Sequence, residues 1–245
     1  MSLAWLRPDW PAPARVRALS TQRNGGVSCG RYTSLNLGGH VGDLPDRVAE
    51  NRARLVAGAG LPAEPAWLTQ VHGTRVLNLD IAPVGEADAC LTRRPGTVCA
   101  ILTADCLPVL FAAQDASVVG AAHAGWRGLA AGVLESAIGA LGVAPGALVA
   151  WLGPAIGPQH FEVGPEVRDA FLATDPAAGP AFTVNERGRH MADLPALARR
   201  RLKALGLTQI FGVGDCTHAN PARYFSHRRD GVTGRQATLI WLEDA

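Results

Sequence analysis

ILTADCLPVLF, residues 101–111, reads as an apolar β-strand broken in its middle by an acid and a thiol. Asp105 and Cys106 bring nothing to a packed strand, because a buried carboxylate is costly unless it is paired. The stretch therefore divides into strands over 98–102 and 108–112, with the two polar residues between them. Outward from it, strand-like runs lie at 16–21, 66–70, 75–80, 118–122, 148–152, 209–213 and 237–241, most of them bounded by Gly, Pro, Asn or Asp. Helical spacing predicts helices over 46–57, 164–172 and 193–205, and another from Gly128 to Gly142 in which Leu129, Val133, Leu134, Ala137, Ile138 and Leu141 share a face. Residues 174–181, TDPAAGPA, read as a surface loop. Strands and helices mixed without strict βαβ order predict an α/β fold with mixed β-sheets, two strand layers in a sandwich flanked by helices. No repeat or low-complexity linker interrupts the chain, so one domain over 1–245 is expected.

Composition narrows the function. With 245 residues, 48% of them hydrophobic, the chain can bury a large core. Lys and Arg number 23 against 21 Asp and Glu, a net charge of +2 that is too small and too dispersed for a nucleic-acid binder. No apolar run reaches membrane-span length and the N-terminal MSLAWLRPDW lacks a signal core, so a cytoplasmic location is expected. The cysteines are Cys29, Cys90, Cys99, Cys106 and Cys216, an odd number without a C-x-x-C pair, which argues against disulfides. Cys90 and Cys99, in strand-like surroundings, are expected to be small buried hydrophobes.

Three positions carry soft metal-binding groups where strands end: His72 in TQVHG, Cys106 in TADCLPV and His123 in AAHAGWRG. Their separations of 34 and 17 residues match no zinc-finger pattern. On spacing alone, a satisfied core histidine stays open as the reading for either His.

The ordered motifs STQRNGGVS, SLNLG, TQVHG, TADCLPVLF, AAHAGWRG, LGPAIGP, FEVG, YFSHRRDG and TGRQA together resemble the YfiH family of laccase-domain proteins. The resemblance implies an α/β sandwich whose surface site binds zinc through two His and one Cys, here His72, Cys106 and His123, with the fourth position open. It implies a purine nucleoside phosphorylase that uses phosphate, cleaves adenosine, inosine and methylthioadenosine, and deaminates adenosine. The polyphenol oxidase name and a link to peptidoglycan editing also come with the family. Arg52 in AENRARL resembles the family's active-site arginine and is the first candidate for phosphate. Arg127, beside the glycines of HAGWRG at a helix start, is a second, with a solvated side chain as the alternative. Asn36 and Asp88 match motif positions implied to bind substrate, with turn-forming or capping as the alternative. Asp105 is expected to orient a neighbour or cap a turn. Ser226, His227 and Arg228 line or brace the pocket and stand outside the catalytic set, and the resemblance places no metal at Cys216 and His218.

Three functions compete on these residues. One is the zinc-dependent nucleoside enzyme, whose partners are purine nucleosides and phosphate. A second is a copper-dependent polyphenol oxidase; the seven histidines contain no H-x-H pair, and one His–Cys–His set supplies one metal centre, so copper is expected only on loading. The third is a metal-free cysteine hydrolase with Cys106 as nucleophile and His123 or His72 as base, acting on an amide or a cell-wall precursor. No motif encodes an oligomeric state.

Overall fold

A computed structural model describes residues 2–82, 84–212 and 214–244. The order is β1 (Trp5–Leu6), β2 (Val16–Thr21), α1 (Pro45–Ala59), β3 (Ala66–Trp67), β4 (Val76–Asn78), β5 (Ala89–Thr92), β6 (Cys99–Thr103), β7 (Leu107–Ala113) and β8 (Val119–Ala124). It continues with α2 (Trp126–Ala131), α3 (Val133–Leu141), β9 (Leu148–Leu152), β10 (Glu162–Val163), α4 (Pro165–Leu172), β11 (Phe182–Val184), β12 (His190–Ala192), α5 (Leu194–Ala204), β13 (Gln209–Phe211), α6 (His227–Asp230) and β14 (Gln236–Leu242). Among the described residues the strands form sheets of order β1-β2-β14-β6-β3, β13-β9-β7-β8-β5-β4 and β10-β12-β11. The first two are mixed, with parallel pairs at β3–β6, β4–β5 and β9–β13.

The opening stretch is the corner between the two large sheets. Its first half is β6 of the first sheet and its second half is β7 of the second, so Asp105 and Cys106 sit where the chain changes layer. Asp105 turns that corner with φ of 95°, a left-handed conformation rare for a residue with a side chain.

Alternation along the strands sorts side chains into three cores. Leu110 and Ala112 of β7 face Cys99 and Ile101 of β6 and Ile240 of β14 between the sheets. Val109, Phe111 and Ala113 face the other way, onto Leu134 and Ile138 of α3 and Leu197 of α5. The outer face of the first sheet, Ala100, Leu102 and Leu239, packs on Leu55 of α1. The result is an α/β sandwich with helices on both outer faces, as expected. Cys90 and Cys99 are buried in the middle core.

Several expected elements change length or break. The helix expected from Gly128 begins at Trp126 and divides at Gly132, whose φ of 101° ends α2 and starts α3. A side chain at that φ is strained, so the helical pattern continues through a residue that the helix itself does not accommodate. The strands expected over 66–70 and 75–80 shorten to Ala66–Trp67 and Val76–Asn78. That over 209–213 shortens to Gln209–Phe211, and Val213 lies outside the described residues. Most of the expected loop over 174–181 is a 3₁₀ turn, Pro176–Ala181, capped by Asp175. No helix among the described residues is long and apolar enough to cross a membrane.

Candidate functional site

Asp88, just before β5, organises the site from below. Its carboxylate accepts the backbone N–H groups of Val71 at 3.1 Å, His72 at 2.9 Å and Gly73 at 2.7 Å. It also pairs with His123 Nδ1 at 2.8 Å. Three converging donors hold His72 at a φ of 62°, which points its ring toward β7. The Gln70 amide exchanges two hydrogen bonds of 2.8 Å with the backbone of Leu102, tying the same loop to the end of β6. His123 stands on β8 opposite Pro108 of β7, one residue beyond Leu107, which follows Cys106.

These constraints bring together three residues far apart in sequence. The ligand atoms of His72, Cys106 and His123 lie within 4.8 Å of one another, the one such group found among the described residues. Cys106 Sγ is 3.8 Å from His72 Nε2, and the two imidazoles meet edge to face with centroids 4.8 Å apart. A tetrahedral centre with bonds of about 2.3 Å to sulfur and about 2.0 Å to nitrogen separates its ligand atoms by roughly 3.5 Å. The trio fits a metal ion, and among the described residues no fourth His, Cys, Asp or Glu joins it. Gly125 permits this approach: a Cβ there would lie 2.8 Å from His72 Cδ2 and 3.1 Å from Cys106 Sγ.

Electrostatics within the metal-free trio follow the contacts. Burial alone would push the Cys106 thiol up, but the nearby imidazoles, His123 first and then His72, outweigh it and lower the thiol to about 6. Burial likewise opposes charge on His123, yet Cys106 and Asp88 raise it to about 9. Burial would raise Asp88 too, and its hydrogen bonds to His123, Gly73 and Val71 bring it below the usual carboxylate value. In metal-free protein, alkylation of Cys106 is therefore expected to rise with pH through a midpoint near 6 instead of near 9. His123→Phe should move that midpoint upward when the adduct is followed by mass spectrometry. A midpoint unmoved by the substitution would show that His123 is not what lowers it.

The trio opens on a cavity of about 370 Å³. Arg127 lies at its exposed rim, its guanidinium 4.6 Å from the Trp126 ring. The other three expected contacts are placed differently. Arg52 does not line the cavity; its Nε and Nη2 donate to the Leu37 carbonyl at 3.1 and 2.9 Å, and its guanidinium stacks 4.4 Å over Trp67 in a separate depression beside Glu64. Asn36 is fully buried, with Oδ1 accepting from the N–H of Gly38 and Arg235 and Nδ2 donating to Gly38 O and Asp43. Asp88 is also fully buried, its oxygens occupied by the contacts above. Neither lines the cavity, and both act on the backbone.

Asp105 faces away from Cys106, toward the C-terminal segment. Its oxygens accept from Thr217 Oγ1 at 2.6 Å, Ser226 Oγ at 3.0 Å and the Arg228 N–H at 2.7 Å. That anchor sets His227 and Arg228 in the cavity wall, two residues left outside the expected catalytic set. His40 and Arg235 line it as well, and sequence reasoning singled out neither although both lie in or beside quoted motifs. A larger, more open hollow of about 760 Å³ shares Arg228 and contains the stacked rings of His160 and His218. Cys216 approaches His160 there at 3.5 Å, but the converging trio belongs to the smaller cavity.

Residues 17–243 match the family described as multi-copper polyphenol oxidoreductase laccase. The chain is 55% identical to a protein of Pseudomonas aeruginosa named purine nucleoside phosphorylase, covering 98% of this chain and 99% of that one. It is 53% identical to the purine nucleoside phosphorylase YfiH of Escherichia coli, covering 96% and 97%. Among solved structures, NMB0706 of Neisseria meningitidis superposes with a TM-score of 0.94 at 49% identity, covering 98% of this chain and 99% of that chain. YlmD of Geobacillus stearothermophilus gives 0.92 at 33%, covering 98% and 96%.

Proposed function

The chain belongs to the multi-copper polyphenol oxidoreductase laccase family, and from that premise we propose that it is a zinc-dependent purine nucleoside phosphorylase. In this reading it acts on adenosine, inosine and methylthioadenosine, has adenosine deaminase activity as well, and works in the cytoplasm as a single domain. The observation that carries the reading is a His–Cys–His trio able to hold a metal ion, in the wall of a cavity large enough for a nucleoside.

His72, Cys106 and His123 would hold the ion, and thiolate with imidazole favours zinc among the divalent ions of a cytoplasm. Such an ion supplies a Lewis acid that polarises a bound oxygen or nitrogen. Asp88 fixes the ring of His123 by binding Nδ1, which leaves Nε2 to the centre. Trp126 and Phe161 give the cavity apolar faces suited to a purine ring. Arg127, Arg228 and Arg235 make the lining cationic, and Asp105 is the one carboxylate among the described residues that line it. That charge favours an anionic co-substrate. In phosphorolysis a phosphate oxygen bonds to C1′ as the C1′–N bond breaks, and the departing base takes up a proton.

One trio is a single metal centre, which does not supply the several coppers that the family's description names. The cysteine hydrolase keeps a specific support: Cys106 lies within 4.8 Å of the His123 ring, whose Nδ1 is held by Asp88, and the thiol is lowered to about 6. Metal content and products separate the readings. The protein as isolated is expected to carry about one zinc per chain, and to release free base and ribose 1-phosphate from inosine or adenosine only when phosphate is present. Free ribose in phosphate-free buffer would mean a hydrolase. Full turnover by metal-free protein would favour the cysteine mechanism.

A further inference from the structure

We infer that Arg235 is the anion receptor of this cavity, seating a tetrahedral oxyanion, inorganic phosphate in the reaction proposed above, beside Cys106. The inference rests on the phosphorylase reading for the identity of the anion, and on geometry for its place. Arg235 lines the cavity immediately before β14. Its backbone N–H is fixed by Asn36 Oδ1 at 2.9 Å, and its stem packs on Gly38, where a Cβ would come within 2.8 Å of Arg235 Cγ. Nη1 donates to the carbonyls of Thr233 and Gly234, each at 3.0 Å. Among the described residues, Nε and Nη2 have no protein acceptor, and no carboxylate pairs with the guanidinium.

A part-buried cation of this kind is unusual, because desolvation works against the charge. Burial lowers the guanidinium's pKa, nearby Cys106, Asp105 and Tyr32 offset that only in part, and none bonds to the fork. The oxygens of Asp105 are taken by Thr217, Ser226 and the Arg228 backbone. Arg52 has spent Nε and Nη2 on the Leu37 carbonyl. Arg228 commits only Nη1, to the Glu162 carbonyl, but its side chain is exposed to water, whereas Arg235 is half-buried. Arg127 retains its donors, but at the exposed rim. The free edge of Arg235, Nε with Nη2, is the pair of parallel N–H groups that binds two oxygens of a phosphate at once. Asn36 clamps both Gly38 and the Arg235 backbone, so it positions the fork against the loop that carries His40 into the same cavity.

The test uses the metal-loaded enzyme with phosphate and inosine varied separately. Arg235→Gln should raise the KM for phosphate about tenfold or more while the KM for inosine moves less than about twofold, and Arg235→Lys should fall between. Inorganic phosphate alone should raise the melting temperature of the wild type and of Arg52→Gln, but not of Arg235→Gln. Metal content and circular dichroism of Arg235→Gln should match the wild type, which excludes misfolding as the cause. An unchanged phosphate KM and an intact thermal shift in Arg235→Gln would overturn the assignment, as would a wild type that phosphate does not stabilise. Loss of both in Arg52→Gln instead would move the receptor to Arg52. If phosphate stabilises the wild type through Arg235 and no ribose 1-phosphate forms, the receptor stands and the phosphorylase reading falls.

Discussion

Cys106→Ser is expected to leave a folded protein that holds neither metal nor activity. The substitution exchanges sulfur for oxygen at a part-buried corner and removes little apolar volume, so the melting temperature of metal-free protein should stay within a few degrees of wild type. A serine hydroxyl is not ionised at neutral pH and is a poor ligand beside two imidazoles, so metal affinity should fall by more than the roughly 10- to 100-fold typical of losing an outer contact. Turnover should fall with it. Metal analysis after gel filtration and assays at saturating inosine and phosphate measure both effects. If the Ser variant keeps its metal and loses only turnover, Cys106 is a nucleophile and the hydrolase reading gains. If it keeps both, the chemistry lies elsewhere in the cavity.

What could be read from the sequence differs between fold and site. β9, LVAWL and buried throughout, announced itself as a continuous apolar run, so the strand expected at 148–152 coincides with it. The strand expected at 16–21 coincides with β2, VRALST, whose Arg17 is exposed between the buried Val16 and Leu19. The small sheet β10-β12-β11 was not expected, because strands of two or three residues carry too little pattern to stand out. The break at Gly132 was hidden because the apolar spacing continues across it. At the site, the separations of His72, Cys106 and His123 encode nothing, since a loop, a sheet-to-sheet corner and a strand bring them together only in the fold. The motifs around them carried the signal. Arg52 lies apart from the trio because α1 turns it onto Leu37 and Trp67, a tertiary arrangement absent from its local sequence. Arg235 in TGRQA has no local pattern that marks it, and the flanking Gly234 reflects a backbone held close to its neighbours: a Cβ there would lie 2.7 Å from Phe225.

Asp88→Asn should destabilise both the fold and the metal site. The carboxylate accepts from three backbone N–H groups and His123, and the asparagine amide has one acceptor oxygen and an NH2 group that must face donors. Leaving buried donors without acceptors costs about 1–3 kcal/mol each, so a loss on the order of 3 kcal/mol is expected in urea unfolding of metal-free protein. The pH dependence provides a second signature. Asp88 is held below its unfolded value of about 3.9, so its stabilisation is fully present above that pH and is lost as pH falls through the lower folded value. The wild type should therefore lose this part of its stability on acidification below about pH 4, and Asp88→Asn should lack that component. Metal affinity should also drop about 10- to 100-fold, because His72 loses its turn and His123 its orienting partner. Should stability fall while metal affinity holds at the wild-type level, Asp88 would serve the His72 loop alone, and the ring of His123 would be set by its packing on β8.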